Sequence, residues 1–161
     1  MLLKRAALLV VFLLLYGSVV GCSPSSIPTD TLLAAPQEVK IAGQRYVLET
    51  YLSRDFKPGS SPEGAPLTAL VWVRALVPPP SLPPLEADRL WVIKGAEVWE
   101  ADLQGKTLPY LPEEDSVFGK TAEGGPKWAV GSRVEVIIRL LDEKGHAYLL
   151  RASEQEIYAV R

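Results

Sequence analysis

The chain carries one cysteine and one histidine in 161 residues, and these two counts bound its chemistry. A multi-histidine metal site is excluded. So are an internal disulfide, a CxxC redox pair and a thiolate metal cluster. His146 falls beside a turn signal, and no nucleophile elbow or phosphate loop accompanies it; Gly124-Gly125-Pro126 reads as a turn, not a cradle. Glu113-Glu114-Asp115 sets three carboxylates side by side. Calcium takes about six to eight oxygens, but this run lacks the alternate spacing of a calcium loop and reads as a solvated acidic loop. No carboxylate pair is singled out by spacing for glycoside hydrolysis. The expectation is no enzyme, no cofactor, and no catalytic or metal residue. The four tryptophans, Trp72, Trp91, Trp99 and Trp128, are the compositional oddity. Aromatics dominate binding surfaces, so an exposed pair would make a platform for a saccharide or a protein. Each lies in or beside an expected strand, so at least two are expected in the core.

That leaves Cys22, and its setting is specific. Lys4 and Arg5 precede an uncharged stretch from Ala6 to Val20, 15 residues rich in Leu and Val. A basic start, a short apolar run and small residues after it are the grammar of a secretory signal. A membrane-spanning helix needs ~20 apolar residues, so the stretch is short for a permanent anchor.

Val19-Val20-Gly21-Cys22 ends this leader. It resembles the lipobox of bacterial lipoproteins. The resemblance implies a diacylglyceryl group on the Cys22 sulfur, removal of residues 1–21 as signal peptide, and usually a third chain on the new amino group. Each buried methylene contributes ~0.8 kcal/mol, and stable anchoring takes two chains or more. Lipidated Cys22 would meet that need alone and face the extracytoplasmic side. Ser23 is not the Asp that retains such proteins at the inner membrane in some diderm bacteria, so the outer membrane is the preferred site.

The 17 basic and 19 acidic residues give a net charge of −2, and losing Lys4 and Arg5 with the leader makes it −4. A nucleic-acid partner would want a basic face. The charge also offers no attraction to anionic lipid. The expected partners are the membrane, through Cys22, and another envelope protein.

Residues 22–36 read as a flexible tether, with Leu32-Leu33-Ala34-Ala35 either docked or mobile. Residues 37–161 form the domain. Tyr46, Leu48, Thr50 and Leu52 alternate with Val47, Glu49, Tyr51 and Ser53, as in a half-buried strand. Lys57 to Pro66 is a loop. Leu67, Ala69, Val71, Val73, Ala75 and Val77 line one face of the next strand. A stiff proline-rich crossing follows at 78–84. Leu90 to Ile93 and Ala96 to Ala101 form a hairpin around Lys94-Gly95, pairing Trp91 with Val98 and Leu90 with Trp99. Leu103 to Pro126 shows little periodicity. Arg133 to Leu141 begins a second hairpin, with a three-residue loop at Glu143-Lys144-Gly145. It pairs Leu140 with Tyr148, Ile138 with Leu150 and Val136 with Ala152. Glu156 to Val160 is a short last strand.

About seven strands and no convincing helix predict an all-β domain, an antiparallel sandwich of immunoglobulin-like size, with a small barrel as the alternative. The skeleton Leu90-Trp91-Val92, Val98-Trp99, Gly124-Gly125-Pro126-Lys127-Trp128, Val134-Glu135-Val136, Gly145, Tyr148 to Ala152 and Gln155 resembles a group of small bacterial lipoproteins of unassigned function. It implies no activity. Two readings follow: a tethered binding or assembly module, or a small-ligand or saccharide binder using a Trp-lined surface. With no thiol in the domain and one histidine, folding should need no metal. EDTA should leave the melting temperature unchanged; a clear drop would give Glu113-Glu114-Asp115 an ion.

Overall fold

The computed structural model describes residues 27–77, 84–105 and 116–161. A short helix, α1 (Thr29–Leu33), precedes eight strands: β1 (Glu38–Ile41), β2 (Gln44–Asp55), β3 (Leu67–Ala75), β4 (Glu86–Lys94), β5 (Glu97–Asp102), β6 (Ser116–Gly125), β7 (Arg133–Leu141) and β8 (Ala147–Val160). They form one mixed sheet in the order β5-β4-β7-β8-β2-β3-β6, with β1 added on β2. The two end strands meet at Gln104 and Thr121, which exchange both backbone hydrogen bonds at 2.8 and 3.0 Å. The Trp99 ring lies so close to Gly125 that a Cβ there would sit 2.7 Å from it. The sheet therefore curls until it is nearly a barrel. The two separate sheets of an immunoglobulin-like sandwich are not seen, since the hydrogen-bonded path is continuous.

The expected alternation is what closes the inside. Leu67, Ala69, Val71, Val73 and Ala75 of β3 are fully buried, while Tyr46, Leu48 and Leu52 face them from β2. The β7–β8 hairpin has the expected register, Leu140 to Tyr148, Ile138 to Leu150 and Val136 to Ala152. Gly145 takes φ 80° in its loop, the left-handed turn residue that a three-residue hairpin needs.

Three expectations change, and a fourth, left open, is resolved. The β4–β5 loop is Gly95-Ala96, so Val92 pairs with Trp99 and Ile93 with Val98. Gly95 has φ 59°, which suits glycine as the first residue of a tight hairpin turn. The shift is two residues, so every side chain keeps its face. Second, the aperiodic stretch before Pro126 contains β6, hydrogen-bonded along β3. Third, the sheet is not purely antiparallel. The last strand is not separate either: β8 is one strand of 14 residues that changes neighbour. Ala147 to Glu156 runs antiparallel to β7, and Ile157 to Val160 runs parallel to Leu52 to Asp55 of β2. A bulge interrupts the β7 pairing three residues before the change, where Ser153 and Glu154 together oppose Glu135 and Glu154 has φ 54°. Glu135 holds it by accepting hydrogen bonds from the Ser153 hydroxyl and the Glu154 amide, both at 3.0 Å.

Fourth, of the two forms left open for Leu32-Leu33-Ala34-Ala35 within residues 22–36, the docked one is found. Leu32 and Ala35 are buried against Trp91, Ile93 and Ile137 on the outer face of the sheet. Arg151 fastens the segment, donating to the carbonyl of Ala35 at 3.0 Å and to Glu135 at 2.9 Å. This explains why all of Leu90 to Ile93 is buried: inner and outer faces are both covered.

Arg54 is the buried charged side chain among the described residues. Its guanidinium donates to the carbonyls of Glu63, Ala65, Lys127 and Trp128 and lies over the Phe56 ring. A buried cation must be matched by acceptors, and here backbone oxygens from two loops do it.

Ile138 has no exposed surface, so Ile138→Ala should cost ~2–5 kcal/mol. Glu143→Ala, in the exposed turn, should stay within about ±0.5 kcal/mol. Equal midpoints in urea melts would refute this core assignment.

Candidate functional site

Two hairpins and the lead-in to β4 converge at one end of the barrel. The β1–β2 turn brings Ile41, Ala42 and Tyr46; the β7–β8 turn brings Asp142 to His146 and Tyr148; Pro84 and Leu85 close the third side. They enclose a hollow of about 350 Å³, at the small end of the range for ligand sites.

The turn chemistry makes the polar wall. Asp142 Oδ1 accepts the backbone N–H of Lys144 and of His146, each at 2.9 Å. Its Oδ2 lies 3.0 Å from His146 Nδ1 and accepts the Tyr148 hydroxyl at 3.3 Å. Partial desolvation works to raise the Asp142 pKa, but the hydrogen bonds from His146 and Lys144 outweigh it and hold it below the usual carboxylate value. Tyr148 is pushed up, first by desolvation and then by the Asp142 charge. His146 Nδ1 faces the carboxylate, and the rest of the ring is exposed. The chemistry available is hydrogen bonding: the carboxylate is fully used inside the turn.

The apolar wall holds one odd group. Tyr46 is 2% exposed, and its hydroxyl has no hydrogen-bond partner among the described residues. Burial raises its pKa, so it stays a neutral phenol.

The tryptophans do not form a platform. Trp91 and Trp128 are buried, Trp72 and Trp99 half-buried. The indole nitrogens of Trp72, Trp91 and Trp128 are buried without a hydrogen-bond partner. The exposed aromatic pair is instead Tyr51 and Tyr158, on neighbouring strands β2 and β8, with centroids 5.6 Å apart and planes at 9°. Cys22, Glu113-Glu114-Asp115 and the prolines at 78–80 and 83 lie outside the described residues. Among the described residues, no group of three His, Cys, Asp or Glu side chains is placed to hold a metal. His146 sits beside the hairpin turn as expected. Tyr46 and Tyr148 were legible only as strand residues, and Asp142 only as a turn residue; its spacing to His146 and Tyr148 was the one available signal.

Compared with protein-family models, curated proteins and solved structures, the chain matches none.

Asp142→Asn keeps the shape and removes the charge. Because the folded pKa is lowered, the charge stabilises above the ordinary carboxylate range, and the gain is lost as pH falls through the folded value. The variant should melt below wild type at pH 7, and the gap should close in acid. A gap independent of pH would remove Asp142 as the charged centre of the turn.

Proposed function

We propose that this is a lipid-anchored binding or assembly module of the cell envelope, held through Cys22 on the extracytoplasmic side. The observation that carries the reading is Val19-Val20-Gly21-Cys22 at the end of an uncharged 15-residue leader. Among the described residues, no helix is long and apolar enough to cross a membrane. The docked segment starts soon after Cys22: four residues separate Cys22 from Ile27, and the five steps between them reach ~18 Å at full extension. The barrel would therefore ride close to the bilayer in a fixed attitude. Ser23 favours the outer membrane.

Tyr51 and Tyr158 are 39% and 46% exposed, and two stiff aromatic rings stacked on an open sheet face suit a protein partner. The reading is non-catalytic, because the Asp142, His146 and Tyr148 hydrogen bonds close on one another.

Cys22→Ala should abolish lipidation and, with it, cleavage by the lipoprotein peptidase. A chain beginning at Ser23 behind an ordinary cleavable secretory signal should fractionate as a soluble envelope protein. If it still pellets with membranes after a high-salt wash, the single-anchor reading is wrong.

A further inference from the structure

We propose that the hollow at the hairpin end of the barrel binds a small neutral ring compound bearing a hydroxyl, a phenol or an alicyclic alcohol. The site is independent of the lipid anchor at Cys22. Its size sets the first limit: about 350 Å³ suits one or two rings. The walls set the second. Ile41, Leu85 and the ring of Tyr46 are apolar, and Leu85 packs against the main core. A ring placed against them leaves water at the usual gain for apolar area.

Charge is excluded by what the polar groups already do. Asp142 accepts from two backbone amides, from the Tyr148 hydroxyl and beside His146 Nδ1, so it keeps no position for a ligand cation. Glu143 and Lys144 are exposed at the rim with opposite signs. A formal charge in the hollow would lose its water without a partner. What remains is neutral hydrogen bonding. Tyr148 spends its proton on Asp142 and keeps its oxygen as an acceptor. Tyr46, almost wholly buried and unpartnered, can donate or accept. The Tyr46 residue is buried but lines the hollow, and a ligand hydroxyl would replace water as the partner of its phenol oxygen.

The other hollows lack this combination. The one between β5 and β6 is lined by Asp102, Gln104 and Glu123 beside small residues. The one at Phe56, Pro58, Val130, Ala159 and Arg161 has no buried polar group.

The test is fluorine NMR titration of 4-fluorophenol into the full chain in detergent, with fluorobenzene as the probe lacking a hydroxyl. Wild type should bind 4-fluorophenol saturably and fluorobenzene more weakly. Tyr46→Phe should fold and melt like wild type, since its hydroxyl has no partner, and should weaken 4-fluorophenol about fivefold, one neutral hydrogen bond. Leu85→Trp, which fills the hollow, should abolish saturable binding. Detergent partitioning of a given probe is the same for wild type and variants and cancels between them; for the comparison of the two probes it is measured in protein-free detergent and subtracted. Equal affinity in wild type and Tyr46→Phe, binding that survives Leu85→Trp, or no saturation would each overturn the proposal. None of these results bears on Cys22, whose reading stands or falls by fractionation.

Discussion

The rest of the structure depends on one extra residue in β8. A strand shows alternate side chains to opposite faces, so an insertion of one flips the pattern. Before the bulge, the even-numbered Leu150 and Ala152 face the core; after it, the odd-numbered Ile157 does. Two more residues, Gln155 and Glu156, stay paired with β7 beyond the bulge, and the strand then turns to lie along β2 from Ile157. Without that turn, the β4–β5–β7 group and the β1–β2–β3–β6 group would share no ladder. Glu135, whose carboxylate holds the bulge, thus sets the parity with which β8 arrives at β2.

Glu135 also reaches the N-terminal segment through Arg151, whose other contact is the Ala35 carbonyl. One carboxylate and one guanidinium couple the strand switch to the docking of α1. The helix is one turn long and would not persist alone; burial of Leu32 against Ile137, Trp91 and Ile93 holds it. At the opposite margin, Arg54 ties the 61–65 loop to the 127–128 turn with hydrogen bonds to carbonyls. Polar side chains in this fold serve mainly to fasten loops to strands.

The two surfaces with functional interest differ in kind. The Tyr51–Tyr158 stack is exposed on two neighbouring strands. The hairpin-end hollow is concave and small.

Local periodicity decided much by itself. The alternation in β2 and β3 and the apolar-to-apolar pairing around Gly145 follow from residues close in sequence, where a period of two leaves one consistent register. The leader and Cys22 are likewise local patterns. The tertiary structure decided what depends on neighbours far along the chain. β6 was hidden because its glycines and Lys120 break the alternation; pairing with β3 made it a strand. The run Leu90-Trp91-Val92-Ile93 signalled two covered faces, but nothing near it names α1 as the cover. The parity change from Ala152 to Ile157 was present in the sequence. That it meant a bulge and a change of partner required β2 to be there, about a hundred residues away.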